Sequence, residues 1–211
     1  MTRLGASYLE VDRGGDLTYH GPGQLVGYPI IDLARAGLGV RAYVRGLEQV
    51  LVRTAAHYGV EADILPGYTG VWVGDEKLAA IGVRVSRGAA YHGFAMNVDP
   101  DLSYFNAIVP CGIADRGVTS LARLLGRHVA VEEMVEPCAE AFAEVFDSEL
   151  RWRKSIPSPD RVDEGSDAFR GHDEPRHAAD RAGQHPRLAD QRVCLLPVNT
   201  HSRRAQDGTG Q

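Results

Sequence analysis

"GVWVGDEKLAAIGVRVSRGAAYHGFAMNVD", residues 70–99, is the stretch whose reading decides the fold. "GVWV" and "KLAAIGVRVS" are two strand-forming runs around a "GDE" turn, a hairpin signal, and "YHGFAMNVD" reads as a further strand. Side chains alternate across a strand. On that rule Ala79, Ile81, Val83 and Val85 share one face with Lys77, while Leu78, Ala80, Gly82, Arg84 and Ser86 form the other. Lys77 is therefore expected to point toward the apolar face at the strand's entrance. An ammonium there calls for an anionic partner, or its pKa falls. The plainer alternative is a strand-end lysine that snorkels into solvent. Of the 23 Lys plus Arg in the chain, only Lys77 and Lys154 are lysine, so Lys77 is the sole lysine in the part that reads as folded. That bias raises the reading, beside the snorkelling one, that this position needs an amine and not merely a positive charge.

Working outward, "LTYHGPGQLVGYPIIDL" reads as a glycine- and proline-rich loop feeding a strand near Tyr28 to Leu33, and "YLEV" before it is a short strand candidate. Val40, Tyr43, Val44, Leu47, Val50, Leu51, Ala55 and Tyr58 recur at helical spacing, so residues 40–58 form an amphipathic helix that Gly59 closes. Further on, "VTSLARLLG" is a short helix capped by Thr119 or Ser120, and "VEEMVEPCAEAFAEVF" is a final helix with Pro137 near its first turn. Strands and helices mix without strict alternation. The expected class is α/β (α+β): a mixed β-sheet with helices packed against one face.

Composition bounds the function. With 44% hydrophobic and 24% charged residues the chain is ordinary for a globular protein. A net charge of −5 gives no general reason to expect nucleic acid or an anionic membrane as partner. No apolar run approaches the ~20 residues that span a bilayer. The start "MTRLGASYLEVDRGG" lacks an apolar signal-peptide core, so the protein is read as cytoplasmic. The chain divides into a folded domain over 1–150, net −7, and a polar tail over 151–211, net +2. The tail has few Leu, Ile, Val or Phe and no apolar period, and is expected to be disordered from about residue 155.

Three cysteines without close spacing argue against a disulfide framework and against a Cys-rich zinc site. Cys111, in "AIVPCGIAD", leaves a stiff Val-Pro segment and precedes a glycine that allows a sharp turn. That arrangement suits a nucleophile attacking a carbonyl, with nearby amides stabilising the oxyanion; a buried structural thiol is the alternative. Cys138 reads as structural, because Met134, Cys138 and Phe142 share a helix face, and Cys194 lies in the tail beside "LLP". A nearby cation lowers a thiol's pKa, so Lys77 and Cys111 would complement each other. In "DRGGDLTYHGPGQLVGYP" five glycines and two prolines let the backbone approach a ligand closely, without matching a phosphate-loop or dinucleotide pattern. His20 there, and His92 in "YHGFAMN", read equally as structural hydrogen-bonding residues or as site residues.

Taken together, "RGGDLTYHGPGQLVGYPIIDL", "GVWV", "KLAAIGVRVSRGAAYHGFAMNVDPDLSYF", "IVPCG" and "GVTSL" resemble the lipoyl(octanoyl) transferases, on the fold of the biotin and lipoate protein ligases, from about Val11 to Phe146. The resemblance implies that Cys111 takes an octanoyl group from the phosphopantetheine thioester of acyl carrier protein and that Lys77 lowers its pKa. The group then passes to a lysine of a lipoyl domain, on a 2-oxoacid dehydrogenase E2 or on glycine cleavage H protein. It maps substrate binding onto Arg13, Gly14, Gly15, Asp16, Leu17, Thr18, Tyr19 and His20, onto Ala80, Ile81 and Gly82, and onto Gly93, Phe94 and Ala95. No ATP, cofactor or metal is implied, since the donor is already an activated thioester. Against that family the chain is N-terminally short, with 12 residues ahead of Arg13, which leads us to expect an open sheet edge. Two other readings stand beside it: an ATP-dependent lipoate or biotin protein ligase that does not need the cysteine, and an inactive truncated fragment.

Overall fold

The helical period of residues 40–58 closes into α1 (Val40–His57), which buries Tyr43, Leu47, Val50, Leu51 and Ala55 along one side. Val40 opens the helix beyond the edge of the core and stays exposed. Gly59, at φ +74°, follows the last turn and donates its N–H to the Ala56 carbonyl at 2.9 Å, a left-handed closure that glycine adopts without strain. The computed structural model describes residues 10–15, 17–107 and 116–152, and the backbone alone of 192–197.

The strands are β1 (Gln24–Asp32), β2 (Val71–Val73), β3 (Glu76–Ser86), β4 (Ala89–Asn97), β5 (Gly117–Val118) and β6 (Arg192–Pro197). They form one sheet in the order β2-β3-β4-β1-β6, antiparallel throughout, and the short β5 pairs in parallel with β3. The sheet is therefore mixed, as expected. β1 starts at Gln24, four residues before the expected Tyr28. "YLEV" forms no strand at Glu10 and Val11, and its first two residues lie outside the described ones. The outer edge of β1 is paired with β6. That strand also departs from the expectation of a tail without structure: "RVCLLP" is the one apolar run in it, and its backbone supplies the hydrogen bonds that an edge strand otherwise leaves unmade.

Helices α1, α2 (Leu121–Leu125) and α3 (Val135–Val145) complete the fold. Ser120, the second of the two cap candidates, accepts a hydrogen bond from the Arg123 N–H at 3.3 Å and starts α2. The expected final helix divides into a 3-10 turn, Val131–Met134, and α3, which carries Pro137 in its first turn where no intrahelical N–H is needed. The core lies between α1, α3 and one face of the sheet. Leu25, Ile31, Leu78, Ala79, Phe94 and Met96 come from strands, and Cys138, Ala141 and Phe142 from α3. The structural reading of Cys138 thus agrees with its position.

The alternation rule fails at one place in β3. Val71 pairs with Ala79, but Trp72 pairs with Lys77, so Leu78 is an extra residue: a β-bulge. Leu78 and Ala79 are both in the core although adjacent. Lys77 consequently stands on the opposite face from the expected one, and lines a cavity with Ala80 in place of sharing the helical side with Ala79, Ile81, Val83 and Val85.

Leu47 is fully buried at the centre of the helix–sheet contact. Leu47→Ala is expected to lower stability by about 2–5 kcal/mol, read as a shift in the urea midpoint with an unchanged slope.

Candidate active site

The face of the sheet away from α1 and α3 is kept low by small residues. Ala80 pairs with Ala95 and Gly82 with Gly93 across the β3–β4 ladder. A Cβ on Gly82 would lie 2.8 Å from the Arg13 Cδ and 2.9 Å from the Gly14 carbonyl oxygen, so the "RGG" segment crosses the sheet over this glycine. A Cβ on Gly93 would meet the Gly27 carbonyl oxygen at 2.1 Å, so glycine there lets β1 come close. Of the remaining residues in these two expected segments, Ala80 and Ala95 face the cavity, whereas Phe94 is in the helical core and Ile81 packs against it. Any contact from Ile81 or Phe94 to a ligand on the sheet's other side would come from backbone.

Beside this flat surface a cavity of about 20 Å³, room for about one water molecule, is lined by Thr18, Gln24, Lys77, Ala80, Ala95, Asn97, Phe105 and Val118. Lys77 is 8% exposed, and its Nζ lies 4.7 Å from the centre of the Trp72 ring, its cross-strand neighbour. That geometry gives the ammonium a cation–π contact. Arg116 sits over the rings of Tyr68 and Trp72 and pairs with Asp75 at 2.5 Å.

Two residues not singled out from sequence, Gln24 and Asn97, tie the cavity together with Thr119, which was read only as a candidate cap. The Gln24 side-chain oxygen accepts from the Gly21 N–H at 3.1 Å, and its Nε2 donates to Asn97 Oδ1 at 2.8 Å. Asn97 Nδ2 donates to the Thr119 carbonyl at 3.0 Å, and the Thr119 N–H donates to the Lys77 carbonyl at 3.0 Å. Gln24, Asn97 and Thr119 are all buried. Buried amides hold such geometry because leaving any member unpaired costs about 1–3 kcal/mol. The available signal was a polar side chain inside an apolar strand run, Gln24 in "GQLVGYP" and Asn97 in "FAMNVD".

In the segment 10–20, Gly14 donates its N–H to the Val83 carbonyl at 3.0 Å, and Gly15 takes φ +95°. Tyr19 stacks on Tyr104 with ring centres 5.2 Å apart and meets Phe105 edge-on. Burial, with smaller contributions from Tyr104 and Asp101, holds its hydroxyl above the usual tyrosine range. His20 is exposed as a residue, yet enough protein surrounds its ring that desolvation lowers its pKa; Gln24 opposes the shift and Arg13 adds to it. Leu17 is half-buried. Asp16 and Cys111 lie outside the described residues. So does the 108–115 stretch that joins the 3-10 turn at Leu102–Ala107 to β5. Among the described residues no group of three or more His, Cys, Asp or Glu side chains could hold a metal ion, and no helix is long and apolar enough to cross a membrane.

Residues 1–143 match the family model of the lipoyl protein ligase A/B catalytic domain. The chain belongs to that family. An octanoyltransferase of Solibacter usitatus is 52% identical over 150 residues, covering 71% of this chain and 67% of the relative. An octanoyltransferase of Koribacter versatilis is 44% identical over 169 residues, covering 76% of this chain and 67% of the relative. These relatives make the chain an enzyme, an acyltransferase. The fold agrees with a crystal structure of lipoate-protein ligase A bound with ATP, at a TM-score of 0.58 and 18% identity over 72% of this chain and 63% of that one. It also agrees with a putative lipoate protein ligase of T. acidophilum solved with bound lipoic acid, at a TM-score of 0.55 and 19% identity, with the same coverage of both chains. At such identities the two structures speak for the fold.

Cys138 contrasts with a reactive thiol. Burial between α1 and α3 pushes its pKa from an ordinary 9.0 up to about 12, opposed in part by a hydrogen bond with Thr54. The neutral thiol therefore favours the folded state fully below pH 9, and that contribution declines as pH rises from 9 toward 12. Iodoacetamide labelling followed by peptide mapping should leave Cys138 unmodified in the folded protein at pH 8 and modify it completely in urea.

Proposed function

We propose that this chain transfers an octanoyl group from octanoyl-acyl carrier protein to a lysine of lipoyl domains, those of 2-oxoacid dehydrogenase E2 and of glycine cleavage H protein, the first step of protein lipoylation. The observation that carries this reading is the buried Lys77, which lines one cavity with Thr18, Ala80 and Ala95. Each of these belongs to one of the three segments that the resemblance assigns to substrate. The name shared by the curated relatives supports it.

The chemistry follows from a thiol and an amine. The Cys111 thiolate attacks the carbonyl carbon of the donor thioester, and a C–S bond forms while the carbonyl oxygen takes up negative charge. Collapse of that intermediate expels the phosphopantetheine thiolate and leaves octanoyl on Cys111. The acceptor lysine, as the neutral amine, then attacks the same carbonyl. An amide forms, the amine loses a proton, and the Cys111 thiolate leaves. Both steps start from an activated thioester, so the reading includes neither ATP nor a metal, and it places the reaction in the cytoplasm.

Lys77 has the role of favouring the Cys111 thiolate. An arginine would supply charge, but with a pKa above about 12 it is a poor proton-exchange partner. Lys77→Ala should move the pH midpoint of Cys111 alkylation upward and slow acylation by roughly tenfold or more. An alkylation profile that does not move removes this role from Lys77.

The deciding experiment is intact-protein mass spectrometry after mixing the chain with octanoyl-acyl carrier protein, wild type beside Cys111→Ala. A hydroxylamine-labile octanoyl adduct on wild type alone is the expected result. Transfer that requires ATP and survives Cys111→Ser would instead select a ligase, and no adduct from folded protein would select an inactive fragment.

A further inference from the structure

One carboxylate outside the cavity collects an unusual set of partners. Asp12 Oδ1 is 2.9 Å from His92 Nε2, and Asp12 Oδ2 accepts from the Tyr91 hydroxyl at 3.1 Å and pairs with Arg84 Nε at 3.3 Å. Arg84 Nη1 also donates to the Asp12 backbone carbonyl at 2.9 Å. An ionised carboxylate only accepts, so His92 donates through Nε2–H. The His92 hydrogen bond, followed by those of Tyr91 and the Arg84 charge, holds the Asp12 carboxyl below its usual range against partial desolvation.

The backbone of β4 is bent to make this possible. Neighbouring side chains in a strand point to opposite faces, so Tyr91 and His92 ordinarily cannot serve one group. His92 takes φ +61°, a left-handed conformation that side-chain-bearing residues rarely adopt. Its ring then lies 5.0 Å from that of Tyr91, and each ring reaches one oxygen of Asp12. A backbone in this region persists where the surroundings over-determine it, and such positions cluster at binding sites. Asp12 is followed directly by Arg13 and Gly14, which cross the sheet over Gly82, and Gly14 is hydrogen-bonded to Val83.

We infer that Asp12 is a positioning residue: together with Arg84, Tyr91 and His92 it latches the chain at the point where the "RGG" segment enters, and so sets that segment over the Gly82–Gly93 gap for the acyl donor. The consequence for binding rests on the octanoyl-transfer reading; the latch itself does not. In this role Asp12 acts through the segment it holds and not on a reacting atom. Its loss acts on the affinity for the donor and not on the chemistry at Cys111.

The test compares wild type, Asp12→Ala, His92→Gly and the double variant. Glycine suits the positive φ at 92, so His92→Gly removes the imidazole and leaves the backbone conformation available. Steady-state transfer from octanoyl-acyl carrier protein should show KM raised by roughly 2- to 5-fold in each single variant, with kcat unchanged within error. The double variant should be no worse than the worse single one, as expected for partners in one interaction. Hydrogen–deuterium exchange at Gly14 and Gly15 should accelerate in the same variants while exchange in α1 does not change. Unchanged exchange at Gly14 and Gly15 overturns the latch, and faster exchange with unchanged KM overturns its role in binding. If wild type forms no acyl adduct, the octanoyl reading fails by itself, and the exchange measurement still decides whether Asp12 holds the segment. Should Asp12→Ala fail to fold, His92→Gly carries the same comparison.

Discussion

One extra residue in β3 decides which side of the sheet Lys77 occupies, and much of the site depends on it. With regular alternation its ammonium would lie among Leu47, Leu51 and the other apolar side chains of the helical face, where burying an unpaired charge costs several kcal/mol. The bulge at Leu78 turns a leucine into that core instead, and puts the lysine against the face of Trp72 on the side that holds the cavity. Both residues reach an environment that suits them through a single local irregularity. Bulges commonly re-aim a side chain, and this one does so at the lysine the composition had already marked as unusual.

The two faces of the sheet divide the work. On one, large apolar side chains from β1, β3 and β4 meet α1 and α3 and supply stability. On the other, Ala80, Gly82, Gly93 and Ala95 hold the surface flat, and specificity of position comes from hydrogen bonds. Gln24, Asn97 and Thr119 form a buried chain from the turn at Gly21 to the backbone of Lys77. Asp12 and its partners fix the entering segment from the opposite end of the same face. Small residues keep this surface flat, and polar tethers fix the segments that border it.

Much of this was legible before any coordinates. The helical period of 40–58, the hairpin signal around "GDE" and the cap at Ser120 each rest on short-range rules of spacing and turn chemistry, and each appears in the fold. The glycines of "RGG" were read as points of close approach, and Gly82 and Gly93, mapped to substrate by the resemblance, prove to be crowded by backbone. Less was legible where the pattern is not local. The facing of Lys77 was misread because a bulge is invisible to a period-two rule. Gln24 and Asn97 were passed over, since each looks unremarkable until they are 2.8 Å apart across 73 residues of chain. "RVCLLP" was grouped with a polar tail because a short apolar run behind an arginine does not announce a partner strand.

By itself the sequence determined the class of fold, the existence of most elements and the family, because periodicity, turn residues and motif identity are properties of neighbours along the chain. Only the tertiary structure decided on which face Lys77 stands, which buried amides join β1, β4 and β5, and that a left-handed His92 and its neighbour share one carboxylate. Those outcomes depend on register and on hydrogen bonds between residues about 20 to 80 positions apart. Such distances close only when the whole sheet has formed.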